Sequence, residues 1–170
     1  MAGFVILVAC LAGPVSAAPQ DSAEELIKKG NQLRRVGKDL EALVEFQKAY
    51  ELARGPRTAG QLGLCEQAVG RWSEADQHLS EALAATNDPW VAKNRPVLEE
   101  SLFTVRSRTC RIEVVGSPEG AEVLIAGGPA GQLPMRRPAV VNAGTVDIEV
   151  SAPGYARQIR SIVVGAGDYQ

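Results

Sequence analysis

The chain has 170 residues, with 18 Lys and Arg against 20 Asp and Glu, a formal net charge of −2 and 45% apolar residues. That length holds one medium domain or two small ones around a packed core. The balanced charge argues against nucleic-acid binding, because the nearest basic run, Arg106 to Arg111, is short and broken by Thr109 and Cys110.

Residues 1–18 carry no charge, and Phe4 to Ala12 form a short apolar block followed by Gly13-Pro14 and Val15-Ser16-Ala17. Small residues one and three places before a cut suit a signal peptidase, so cleavage after Ala17 is expected, with 1–17 as a signal peptide and 18–22 as a linker. The block is too short to span a bilayer, which takes about 20 apolar residues. No Lys or Arg stands ahead of it. A second reading stays open. Leu7-Val8-Ala9-Cys10 resembles a bacterial lipobox, which implies an acylated Cys10 and a lipid anchor as the chain's one contact with a membrane. Both readings place the protein outside the cytoplasm, in the periplasm or cell envelope.

Two further cysteines, Cys65 and Cys110, follow. In an oxidising compartment a disulfide between them is one expectation, and two buried small apolar side chains is the other. Neither has a CxxC partner or a nearby His, so no metal site is expected.

From residue 23 to 107 the pattern is helical and repeats at a spacing of 33 residues. Gly30 falls on Gly63, Gly37 on Gly70, Glu41-Ala42 on Glu74-Ala75, Phe46 on Leu79, Ala49 on Ala82 and Pro56 on Pro89. Each unit reads as two helices. Leu26, Ile27, Leu33 and Val36 lie near one face of the first, which breaks at Gly37. The second runs from Asp39, the expected N-cap, to about Arg54, with Ala42, Phe46, Ala49, Tyr50 and Ala53 as a buried stripe. Gly55-Pro56 and Asn87-Asp88-Pro89 are stop-and-start signals, and Ser73 is the expected cap of the fourth helix. The small residues would let paired helices approach closely, with Phe46 and Leu79 filling the gap.

These residues resemble the tetratricopeptide repeat (TPR) family. Leu26, Gly30, Leu33, Ala42, Phe46 and Ala49 fit its pattern in the first unit, and Leu62-Gly63, Ala75, Leu79 and Ala82 in the second. Lys29 and Glu66 stand where the family places large apolar residues. Trp90 to Arg106 is expected to close the exposed flank as a capping helix, with Trp90, Val91, Val97, Leu98, Leu102, Phe103 and Val105 inward. Pro96 is expected to kink it or start a new helix. The resemblance implies a concave partner-binding face made by the first helix of each unit. Mapped onto this chain it includes Asn31, Arg34, Arg35, Arg57, Leu64 and Gln67. Asn31 with the three arginines could hold an extended acidic or C-terminal peptide. A solvated basic helix face is the plain alternative.

Near residue 109 the pattern changes from helix to strand. Cys110, Ile112 and Val114 alternate with polar neighbours, Gly116 to Gly120 reads as a turn, and Ala121, Val123 and Ile125 alternate again, which predicts a hairpin. Gly127, Gly128 and Gly131 read as turns within a loop reaching Pro138. Val140-Val141 is a short strand. Thr145 to Val150 is a clear one with Val146, Ile148 and Val150 inward, and Arg157 to Val164 is the last. Five short strands at this spacing predict a small β-sandwich.

This half, 110–170, resembles the PEGA-domain family through Pro118-Glu119-Gly120-Ala121, Ala143-Gly144 before a strand and Gly154-Tyr155 after it. Such domains occur on exported and envelope proteins, and no catalytic residues are established for them. That family usually continues into another strand after a turn like Gly165-Ala166-Gly167, so a shortened module with a free strand edge is expected.

The single histidine, His78, lies beside Asp76 without a nucleophile motif and reads as a solvated helix residue. Glu99-Glu100 reads as a wet helix face. The fold class expected is two-domain, α then β: TPR-like helices with a capping helix, then a PEGA-type sandwich. The function expected is a non-enzymatic exported adaptor without a cofactor, binding a protein or peptide partner. The alternatives are a structural component, or one that binds peptidoglycan or another envelope glycan through the β half. A hydrolase or sugar-binding role for the β loops is the remaining rival.

Overall fold

The structure, a computed structural model, describes residues 19–168. The signal-peptide and lipidation readings, Cys10 included, fall outside them. Five helices come first: α1 Pro19–Arg35, α2 Asp39–Leu52, α3 Pro56–Ala68, α4 Trp72–Ala84 and α5 Pro89–Arg106. Six strands follow: β1 Thr109–Ile112, β2 Glu122–Ile125, β3 Gly128–Gln132, β4 Ala139–Asn142, β5 Gly144–Ser151 and β6 Gln158–Val164. The layout is helical and then β, as expected. The linker expected at 18–22 is instead largely the start of α1.

Two turns of the same kind end α1 and α3. Gly37 and Gly70 adopt φ of +75° and +79°, where a side chain is strained. Lys38 N–H then reaches the Leu33 carbonyl at 3.0 Å, and Arg71 N–H reaches Glu66 at 2.9 Å. Each glycine N–H bonds the carbonyl three residues back, completing a Schellman motif. The turn delivers the next residue ready to start a helix. The carbonyls of Lys38 and Arg71 accept from Ala42 and Ala75, so helix begins there. This corrects the expected caps: Asp39 is the first residue of α2, Ser73 lies inside α4, and neither N-cap has a side-chain bond. Gly55-Pro56 and Asp88-Pro89 do start helices, with Asp88 Oδ1 accepting from Val91 N at 2.9 Å.

Small residues bring the helices together. A Cβ added to Gly30 would stand 2.8 Å from the Phe46 ring, and one on Gly63 would stand 2.8 Å from Leu79 Cγ. Phe46 and Leu79 are fully buried. α5 runs unbroken through Pro96. Its buried stripe is Val91, Leu98, Leu102 and Val105, whereas Val97 and Phe103 are 54% and 77% exposed. They sit one residue, about 100° of helix rotation, off that stripe. Trp90 is partly buried and packs over Gly60 beside that stripe.

The β half has its own core, including Cys110, Ile112, Val123, Ile125, Leu133 and Val146. The expected hairpin is not formed. β1 pairs antiparallel with β4, Cys110 opposite Val141, in a two-stranded sheet. β2 belongs to a second sheet of order β3-β2-β5-β6. Gly116–Gly120 therefore crosses between layers. Period-two alternation says which side chains face inward, and both strands face the same core from opposite sides. β3, expected as loop, is an edge strand on β2. Ala126 and Gly127, with φ of 51° and 77°, make the tight turn between them, and Pro129 is tolerated at an edge.

Only Ser107 and Arg108 separate α5 from β1. Arg108 N–H bonds the Val105 carbonyl, and the Arg108 carbonyl accepts from Ala143. α4 packs against β4. Asp76, 4% exposed, accepts from Arg106 Nε at 2.9 Å and lies 3.8 Å from Arg111 Nη2 on β1. The Arg108 guanidinium stands 5.5 Å from the Trp72 ring centre.

Candidate partner-binding groove on the helical half

Glu24, Ile27, Lys28, Asn31 and Arg35 recur every three or four residues on α1, which puts them on one helix face. Arg57, in the first turn of α3, faces them. With Glu25 and Gln32 they line a groove of about 470 Å³. Arg57 Nη2 meets Glu24 Oε2 at 2.7 Å, both side chains being about half exposed. Arg57 Nε is buried without a hydrogen-bond partner, and it is the one such side-chain nitrogen or oxygen among the described residues. A buried donor left unpaired costs about 1–3 kcal/mol. Its lining holds Lys28, Arg35 and Arg57 against Glu24 and Glu25, so the groove leans positive.

Three of the residues expected to bind a partner thus converge: Asn31, Arg35 and Arg57. The others do not. Arg34 turns to the α1–α2 junction and donates through Nε to Asp39 at 3.3 Å. Leu64 packs beside the core of α4 and α5. Gln67, near the end of α3, is half-buried away from the groove. Lys28 and Gln32 were missed, although they fall on the same face of α1 at helical spacing.

A second polar cluster was missed as well. His78 is not a solvated residue: its side chain is 15% exposed, and Nδ1 lies 2.7 Å from Oε2 of buried Glu66. Its ring meets the Tyr50 ring edge-on, with centroids 4.9 Å apart. Tyr50 donates to Glu81 at 2.7 Å. Burial, and then that bond, hold the Tyr50 phenol above its ordinary range. The signal was available. Glu66 follows Leu62 and Cys65 on the buried side of α3, and His78 precedes Leu79 beside the stripe of α4.

Cys65 and Cys110 are both free and buried, one in the core of α1–α3 and the other in the β core, so the candidate disulfide is not formed. Burial pushes the Cys65 thiol up to about 11 and raises that of Cys110. Among the described residues no group of three or more His, Cys, Asp or Glu is placed to hold a metal ion, and no helix is long and apolar enough to cross a membrane. No family model, no curated protein and no solved structure matches this chain.

Proposed function

We propose that this chain is a non-catalytic adaptor of the bacterial cell envelope. It holds an extended segment of a partner protein in the groove between α1 and α3. The observation that carries this is that Asn31, Arg35 and Arg57 line one groove, with the Arg57 side chain about half exposed in it. A carboxylate of the partner would meet the exposed guanidinium edges of Arg35 and Arg57 in charge-assisted form. The helices are already locked in place by the close packing of Gly30 on Phe46, so little ordering cost falls on binding. The resemblance of 23–107 to TPR units, and of 110–170 to PEGA modules, supports a binding role over a catalytic one. The uncharged, apolar start of the chain supports export.

The test is affinity capture from a bacterial envelope extract with the wild-type protein and an Asn31→Ala/Arg35→Ala/Arg57→Ala variant of unchanged helical circular dichroism. A protein enriched by the first and lost with the second is the expected result. Equal capture by both, or retention on peptidoglycan without any protein, would overturn the adaptor reading.

A further inference from the structure

The outer edge of β6 is the least protected part of the β half. β6 is seven residues long and pairs with β5 through Gly144–Val150 without a register shift. It is last in its sheet, so its other edge has no strand partner among the described residues. Natural edges are usually blunted by a bulge, a proline, a lysine or an inward charge; β6 has no bulge, proline or lysine, and its one charge, Arg160, lies on the face of Ile162. Pairing with β5 fixes its two faces. Ile162, opposite Val146, turns inward, while Ile159 and Val163 turn outward. Those two are 63% and 80% exposed. A groove of about 560 Å³ lies between β6 and Ile112–Val115, and past β6 the chain turns to β1, where Gly167 N–H bonds the Thr109 carbonyl and Arg111 N–H the Asp168 carbonyl.

We propose that the partner of this edge is a second copy of the same chain, joined antiparallel, β6 to β6, about a two-fold axis through Ser161. Such an interface is self-complementary by symmetry, and the side chains select one register. With Ser161 opposite itself, each Ile159 stands opposite the second copy's Val163, so the exposed apolar pair is covered twice. Arg157 then stands opposite Gly165, whose N–H is capped by the Asp168 carboxylate at 2.9 Å. Each end of the ladder therefore brings a guanidinium to an acid. Arg157 already pairs with Glu149 of its own chain, which holds it on that outer face. Centring the axis on Arg160 places two like charges opposite one another, which is unfavourable. Centring it on Ile162 leaves Ile159 opposite Gly165, with no apolar match. An odd shift would turn the outer face of one sheet against the inner face of the other.

The dimer is independent of the helical groove, and its test is run on the full chain. Sedimentation equilibrium at micromolar concentration should give a dimer. Ile159→Lys/Val163→Lys should weaken it at least about tenfold with an unchanged circular dichroism spectrum. Ser161→Cys, made in a Cys10→Ser background, places two thiols on the axis, within disulfide reach, and mild oxidation should link two chains through position 161, Cys65 and Cys110 being buried. The Asn31/Arg35/Arg57 variant should dimerise as the wild type does. A monomeric wild type, a dimer indifferent to the two lysines, or a Ser161→Cys protein that stays unlinked would each overturn the proposal. So would a monomer that takes up an unrelated strand peptide on β6.

Discussion

His78 Nδ1 and Glu66 Oε2 lie 2.7 Å apart across the α3–α4 interface, with 15% and 5% of their side chains exposed. An imidazole and a carboxylate therefore stand in a position where the packing would accept two apolar side chains. Burying such a pair costs desolvation, and losing one member costs more than losing both.

His78→Leu is accordingly expected to lower stability by about 2–3 kcal/mol, because it strands the Glu66 carboxylate. Glu66→Leu/His78→Leu should recover most of that loss. Urea unfolding of His78→Leu, Glu66→Leu and the double variant would give the coupling directly. Additive losses would show that the contact contributes nothing.

Gly63→Ala should cost about 1–3 kcal/mol, since the new methyl would meet Leu79 Cγ at 2.8 Å and the Leu79 backbone nitrogen at 3.0 Å. Gly30→Ala meets only the Phe46 ring, at 2.8 Å, and Phe46→Leu should relieve part of its penalty. Gly128→Ala has its nearest neighbour at 3.7 Å and should stay within about 0.5 kcal/mol of wild type. Thermal melts rank the three.

Asp76→Asn should separate the unfolding of the helical and β halves. Asp76 is buried and receives Arg106 at 2.9 Å, with Arg111 of β1 nearby. The expected loss is about 1–3 kcal/mol, and calorimetry should show a broadened or split transition. Arg111→Ala, which removes a half-exposed group 3.8 Å away, should cost less than about 1 kcal/mol.

Cys65 and Cys110 should resist alkylation near neutral pH until the chain unfolds, because thiolate is the reactive form and burial raises both thiols. Iodoacetamide labelling against urea should follow the unfolding curve. The pH effect has a definite sign. Cys65 is raised from 9.0 to about 11, so its contribution to stability is whole below 9.0 and fades as pH climbs toward 11.

The helical half was legible because its signals are local or periodic. Gly37, Gly55-Pro56 and Asp88-Pro89 mark breaks in the chain, and the pairs Gly30/Phe46 and Gly63/Leu79 recur at one spacing. The caps were misplaced because a Schellman turn starts the next helix through its backbone, without needing Asp39 or Ser73. In the β half, alternation identified Ile112, Val123 and Val146 as inward, but strand partners are set by layers, which a period of two does not encode. β3 was hidden by Gly128, Pro129 and Gly131, residues that mark a loop everywhere except on an edge. Of the six residues that the TPR resemblance implied, Asn31, Arg35 and Arg57 line the proposed groove. Arg34 left it because Asp39, five residues on, is a nearer acceptor.

The joint between the halves has a mechanical corollary. Ser107 and Arg108 are its whole length, and hydrogen bonds hold Arg108 to α5 and to Ala143. There is no swivel there to take up slack. A tug on the sandwich travels straight down α5 as torque, and reaches the Trp90 and Gly60 contact at the far end of that lever.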